Sequence, residues 1–355
     1  MKLKTAIIGL GRMGAEPTSR FNGMLCKGWD PISHAESIVS SERLQLVALC
    51  DIDAEKTKKF GDLYQIENTF NEYKKLIDTI KPDVISIATR TNMKQEIIEY
   101  ALEHGVKGFY VEKPLSRSVK DCKQLLDNIK KADAKIAYGA QRRALAIMRK
   151  AKEMCISGEF GTVKSLTFEY GRNMLLWSHP HTSDLIVYFA NSVELDYVSA
   201  LCTFDKVYAE NEMFIDNDPI VESAFIKFKN GVVATITPND GNNIRIHLTK
   251  AILVINSDGF SIDVFTEGEI KGKFTNLNRI YAEESRSATQ NLFDDVANAV
   301  INSTSVAAIS HKEIIAGTRI LSGIVTSGLK NGVKINGDEI KDDLIVTGRF
   351  GEFYA

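Results

Sequence analysis

The segment Gly9-Leu10-Gly11-Arg12-Met13-Gly14 follows directly on a short apolar run, Ala6-Ile7-Ile8, at the start of the chain. A glycine pattern of this spacing means little by itself. At the end of a first strand it points to one architecture, the dinucleotide-binding strand, turn and helix. The first glycine permits the tight turn, the second lets backbone approach a pyrophosphate, and the third lets a helix pack close to the strand. Free amides at that helix N-terminus then receive the phosphate charge. Gly9, Gly11, Arg12, Met13 and Gly14 are therefore candidate cofactor contacts.

The surrounding pattern fits. Apolar runs at 46–50, 84–88, 108–111 and 135–138 read as further strands, and near-continuous apolar character suits strands buried on both faces of a parallel sheet. Amphipathic stretches at 71–80, 95–104 and 118–131 read as helices between them. This alternation predicts a doubly wound α/β sheet. After about residue 140 the rhythm changes. A helix at 144–157 is followed by alternating strands at 164–170, 221–228, 232–237, 244–248, 251–256 and 260–265, with Asn230-Gly231 as a hairpin turn. Helices at 292–301 and 314–329 follow. The expectation is two domains: residues 1–138 bind a dinucleotide, and residues 139–355 form a largely antiparallel, open-faced sheet domain for substrate and self-association.

Asp51 ends the second strand. An acid there accepts hydrogen bonds from the adenosine ribose hydroxyls and repels a 2′-phosphate, which favours NAD over NADP. Asp53 is the rival, two residues on. Asp51 lies 37 residues after Gly14, where about 20 is usual. The excess is assigned to an insertion at about 15–31, holding Pro17, Phe21, Gly23, Met24, Gly28, Trp29 and Pro31. It either folds against the ligand cleft or forms a surface loop with its own hydrophobic anchor.

Bulk properties exclude several classes. The chain has 355 residues, 44% hydrophobic and 25% charged, enough for two cores. A formal net charge of -2 gives no global pull toward nucleic acid. Five cysteines without a CxxC pair argue against a zinc ribbon or thioredoxin-like site and suit a reducing compartment. No stretch approaches about 20 consecutive apolar residues, and the run at 6–10 is too short for a secretory leader. The expectation is a cytoplasmic protein with no membrane or nucleic-acid partner.

Glu112-Lys113-Pro114, following a strand, makes the resemblance specific. With the glycine loop it resembles the Gfo/Idh/MocA oxidoreductase family, which includes glucose–fructose oxidoreductase and inositol dehydrogenases. Ile87-Ala88-Thr89, Tyr138 to Arg143, Ser157 to Val163 and His181-Thr182-Ser183-Asp184-Leu185 are similar to further family segments. The resemblance implies a Rossmann domain followed by an open-faced α/β sheet domain, with a sugar or cyclitol lying against that sheet and facing the nicotinamide. It also implies a homodimer or homotetramer. Lys113 matches a lysine that reaches substrate and nicotinamide ribose, Pro114 a proline often held in a cis bond, and His181 the catalytic histidine. Thr89 and Glu112 fall at cofactor positions. The residue chemistry agrees: a cation lowers the energy of a developing alkoxide, and an imidazole suits proton transfer near neutrality.

The sequence also departs from the family. Trp177 stands where an aspartate is frequent, four residues before His181; Arg90 replaces a common proline; Lys94 replaces a common histidine. Trp177 can stack on a sugar face or belong to the core. Asp184 can orient the imidazole, contact substrate or serve as a helix-start acid. His179 with His181 can begin a metal site, but no third ligand beyond Asp184 is evident and no metal is expected. Arg142, Arg143, Arg172 and Asn173 are further substrate candidates, the paired arginines suiting a phosphate or carboxylate. The leading expectation is an NAD-dependent dehydrogenase acting on a ring hydroxyl of a sugar, cyclitol or nucleotide sugar. The alternatives are a glycoside hydrolase using tightly held NAD and a non-catalytic NAD-binding sensor.

Overall fold

The computed structural model describes residues 2–21, 23–283, 285–304 and 308–348. Its first half contains β1 (Leu3–Ile8), α1 (His34–Val39), β2 (Leu44–Cys50), α2 (Ala54–Tyr64), β3 (Thr69–Phe70), α3 (Tyr73–Ile80), β4 (Val84–Ile87), α4 (Thr91–Glu103), β5 (Gly108–Val111), α5 (Val119–Lys131) and β6 (Lys135–Tyr138). The six strands form one parallel sheet in the order β3-β2-β1-β4-β5-β6. β4 and β5 are buried at every position, as strands covered on both faces must be.

The second half adds α6 (Ala146–Ile156), β7 (Val163–Glu169), β8 (Asn173–Met174), α7 (His179–Ala190), β9 (Leu195–Thr203), β10 (Phe214–Ile215), β11 (Ile220–Phe228), β12 (Val233–Thr237), β13 (Asn243–Leu248), β14 (Ala251–Asn256), β15 (Ser261–Glu267), β16 (Phe274–Tyr281), α8 (Ala288–Asn302), α9 (His311–Leu329), β17 (Ile335–Asn336) and β18 (Ile345–Val346). Ten of these strands form a mixed sheet ordered β16-β15-β14-β13-β7-β12-β11-β9-β17, with β8 on β11. Only β7–β12 is parallel. α7 and α9 pack together on one face of it. Along β11 and β12, buried residues alternate with partly exposed ones, the signature of a sheet covered on one face. β10 and β18 form a separate two-stranded ribbon.

α8 returns to the first sheet. It packs on β5, β6 and α1, with Phe293 stacked on Tyr110 at a centroid distance of 4.3 Å. Gly108 makes room: a Cβ there would meet Val300 at 2.9 Å. Residues 288–302, expected in the second domain, thus form part of the first sheet's cover. Among the described residues no helix is long and apolar enough to cross a membrane.

Candidate active site

The glycine loop is built as the sequence requires, but the helix after it is interrupted. Gly9 has φ +94°, and a Cβ there would lie 2.7 Å from the carbonyl of Ala88. At Gly14 a Cβ would lie 1.9 Å from the carbonyl oxygen of Gly9. Both positions therefore accept only glycine. Residues 11–15 close one turn, with Ala15 N–H donating to Gly11 O at 3.1 Å. The chain then leaves the helix. It returns at Ser33, and His34 N–H donates to Met13 O at 2.8 Å and Ala35 N–H to Gly14 O at 3.0 Å. These are the bonds that the next turn of the same helix would make. Residues 16–32 are thus spliced into the helix after its first turn. Setting those 17 residues aside leaves Asp51 20 residues after Gly14, the ordinary dinucleotide spacing of about 20.

Asp51 sits at the end of β2 with Oδ2 accepting from Leu10 N–H at 2.7 Å and Oδ1 from Asp53 N–H at 3.0 Å. It fixes the glycine loop, and each oxygen, accepting one N–H, keeps capacity to accept another hydrogen bond. Asp53 is engaged otherwise: its carboxylate caps α2 through Glu55 N–H and Lys56 N–H. The loop glycines that exclude a Cβ and this acid fit a bound dinucleotide.

Beside the loop lies a cavity of about 630 Å³. Its floor comes from the ends of β4 and β5, where Thr89, Glu112 and Lys113 stand. Its far wall carries Trp177, His181 and Asp218. The inserted segment forms another wall with Phe21, Met24 and Trp29. That segment is anchored to the second half of the chain: Trp29 Nε1–H donates to Asp258 O at 3.4 Å, Gly28 O accepts from Ala288 N–H at 2.9 Å, and Ile32 O accepts from Thr289 Oγ1 at 3.3 Å. Of the two readings of the insertion, the cleft-facing one is the arrangement found.

Lys113 and His181 face this one cavity. The Lys113–Pro114 bond is cis. Lys113 Nζ donates to the carbonyl of Trp177 and lies 4.8 Å from the centre of its ring. Burial pushes the amine down to about 8, against the opposing pull of Glu112 and Asp218. Burial holds His181 well below the usual imidazole range, and the nearby Arg142 and Lys113 charges add to that. Its Nδ1 is buried without a hydrogen-bond partner among the described residues. Trp177 also lies under Arg12, whose guanidinium is 5.8 Å from the ring centre.

Several sequence candidates lie elsewhere. Arg143 and Asp184 form a buried bidentate ion pair at 2.6 and 2.8 Å, extended to Glu313 at 2.8 Å. Asp184 therefore neither orients His181 nor lines the cavity. Arg172 pairs with Glu222 at the surface, and Asn173 donates to Tyr170 O at 2.6 Å. His179 is buried against Thr182. None of these five lines the cavity. Arg142 does, but Asp258 engages it bidentately at 2.6 and 2.9 Å. The paired arginines expected to bind an anion are thus each matched to a carboxylate. Glu112 reaches the cleft edge, but its Oε1 is turned inward to His34 Nε2 at 3.1 Å and Gln141 Nε2 at 3.3 Å. Among the described residues no group of three or more metal-binding side chains converges.

Three residues that matter were not singled out for their structural roles. Lys94 is buried in α4 and donates to the carbonyls of Glu112 and of Pro114, the latter at 2.7 Å, bracketing Lys113. Its place on the apolar face, three and four residues before Ile97 and Ile98, carried the signal. Asp218 is 2% exposed and accepts from the Leu176 and Trp177 N–H groups at 2.7 and 3.1 Å. It holds the N–H side of Trp177, the residue whose carbonyl holds Lys113. His34 bridges Ser86 and Glu112 beneath the cleft. Asp218 and His34 carry no pattern of spacing that marks them.

Comparison with known proteins agrees with this geometry. A family profile described as an oxidoreductase family with an NAD-binding Rossmann fold, GFO_IDH_MocA, matches residues 3–140. The chain is 27% identical over 161 residues to the uncharacterized oxidoreductase YrbE of Bacillus subtilis, covering 45% of this chain and 42% of that protein. It is 24% identical over 159 residues to myo-inositol 2-dehydrogenase of Thermotoga maritima, with the same coverages of 45% and 42%. The matched region thus spans less than half the length of these curated relatives. In fold the likeness extends further. A levoglucosan dehydrogenase solved with NADH and levoglucosan superposes with TM-score 0.74 at 17% identity, over 95% of this chain and 99% of that one. Aldose-aldose oxidoreductase from Caulobacter crescentus gives 0.75 at 17%, over 95% and 100%. In its glycine loop, its Glu-Lys-Pro turn and its matched residues 3–140, the chain is similar to the Gfo/Idh/MocA oxidoreductase family.

Proposed function

We propose that this chain is an NAD-dependent oxidoreductase that moves hydride between nicotinamide and a ring hydroxyl or ketone of a sugar, cyclitol or nucleotide sugar. One observation carries the reading: Lys113 and His181 line the same cavity beside a glycine loop that fits a dinucleotide. Bound NAD supplies the hydride acceptor at the reacting carbon. The chain's own residues handle the proton and the charge. Burial keeps His181 neutral, so its imidazole can accept the hydroxyl proton. Lys113, cationic at neutral pH, stabilises the oxygen as negative charge develops on it. The Trp177 carbonyl and ring fix that ammonium. Asp51 supports NAD over NADP by its place at the end of β2.

Relatives and structural neighbours that act on polyol rings, among them the myo-inositol and levoglucosan enzymes, support the substrate class. Assembly into dimers or tetramers belongs to the same reading, with exposed Leu201 and Leu277 on the second sheet available for contact. So does a cytoplasmic setting.

The test is NADH absorbance with purified protein and NAD against inositols, free sugars, sugar phosphates and nucleotide sugars. Turnover with one class is expected. Lys113→Ala and His181→Ala should each lower kcat by about 10²–10⁴ while NAD still binds. Unchanged turnover in both variants ends the assignment.

A further inference from the structure

We infer that the substrate carries an anionic group, a carboxylate or a phosphate, and that Arg117 with Arg90 receives it at the substrate end of the cleft. This rests on the oxidoreductase reading above.

The argument begins with the charges of the cavity wall. Arg142 is neutralised by Asp258. Arg20, in the inserted segment, leans on Glu16 at 3.7 Å. Lys94 is spent on two backbone carbonyls. Arg12 lies in the glycine loop, over Trp177, where the pyrophosphate of a dinucleotide is received. On the acidic side, Glu112 is turned to His34, and Asp218 accepts two backbone N–H groups. Arg90 and Arg117 remain. Both line the cavity, and among the described residues neither side chain has a hydrogen-bond, ion-pair or ring partner.

Their positions separate them from the cofactor's phosphates. Arg90 precedes α4, past the end of β4; Arg117 follows the Lys113–Pro114 turn, past the end of β5. In the sheet β5 lies two strands from β1, whose loop takes the pyrophosphate. Arg117 O accepts from Val346 N–H at 3.0 Å, fastening it to β18. The next residues, Thr347 and Gly348, line the same cavity as Lys113 and Asp218. Arg117 is partly buried and Arg90 exposed, and a guanidinium without a counter-ion favours an anion that it can grip with two parallel hydrogen bonds. The Arg142–Arg143 pair singled out in the sequence cannot serve, because both are matched. Arg90 and Arg117 take its place.

Calorimetry on the NAD-saturated protein tests this without requiring turnover. The probes are matched sets sharing a ring: glucose, glucuronate and glucose 6-phosphate, and myo-inositol with its monophosphate. An acidic member should bind about tenfold to a hundredfold more tightly than its neutral partner. That advantage should shrink with added salt and fall about tenfold in Arg117→Gln. Preference for glucuronate identifies a carboxylate site; preference for the phosphates identifies a phosphate site. Neutral members binding as tightly as acids, no binding by any member, or an advantage that survives in both Arg117→Gln and Arg90→Gln overturns the inference. NADH formation in the same samples separates the two readings. Turnover of a neutral ring with no preference for its acid removes the anion site and keeps the oxidoreductase. An acid that binds but never yields NADH does the reverse.

Discussion

At the scale of single residues, the site depends on how one partly buried ammonium is held. Lys113 is bracketed by Lys94, which ties the carbonyls on either side of it, and by Trp177, whose carbonyl and ring it touches. Asp218 stands behind Trp177 and supplies negative charge from a loop distant in sequence. Asp218→Asn removes that charge and retains one oxygen acceptor. The Lys113 proton, lost near pH 8 in the native chain, then leaves more easily. Because the cationic form is the active one, the alkaline fall of kcat/KM should move to lower pH. An unmoved alkaline limb would reduce Asp218 to a packing role. Asp51→Ser gives a second prediction at this scale. Without the acid at the ribose the NAD preference should relax, by about tenfold or more in kcat/KM(NAD) over kcat/KM(NADP), read from initial rates with each cofactor. These residues also show where sequence legibility ends. Lys113, His181 and the loop glycines can be singled out in the sequence because local motifs mark them. Asp184 stands out in the sequence and Asp218 does not, since nothing local says that Arg143 waits 41 positions away for one and Trp177 the same distance away for the other.

At the scale of elements, the interrupted helix explains both an anomaly of spacing and the shape of the cleft. The long gap between Gly14 and Asp51 was legible as an insertion. Its point of entry was not, because two backbone bonds across the splice define it rather than any residue type. The same limit applies to strands. β9 and β16 were not anticipated: β9 carries charged Asp196 amid its apolar residues, and β16 is largely exposed, so neither shows a clean period of two. Deleting residues 16–32 and joining Ala15 to Ser33 should leave a continuous helix, since Met13 and Gly14 already accept bonds from His34 and Ala35. The shortened chain should bind NAD in calorimetry and lose about 100-fold in kcat/KM as the cleft opens to water and the substrate loosens. Trp29→Ala, which removes a 7% exposed ring from the same wall, should likewise keep NAD binding and lower kcat/KM by less. Loss of NAD binding in the deletion, with the fold intact by circular dichroism, would mean that the segment holds cofactor.

At the scale of the whole molecule, the two sheets are stitched by α8 rather than merely joined in series. That helix belongs to the second half of the chain, yet Phe293 stacks on Tyr110 and touches His34, and Val296 and Val300 close over Gly108. Its N-cap region also carries Ala288 and Thr289, the anchors of the inserted segment. One helix therefore couples the back of the dinucleotide sheet to the wall of the cleft. A chain divided at residue 138 would expose that sheet face, so the first 138 residues alone should not melt as an independent unit. Phe293→Ala tests the coupling in the intact protein. Removing a fully buried ring costs about 3–5 kcal/mol. If α8 joins the halves, that loss lowers a single transition seen alike by circular dichroism and by release of bound NADH fluorescence. Two separated transitions, with only the nucleotide signal moved, would show that the second sheet stands without the first and that α8 serves the dinucleotide half alone.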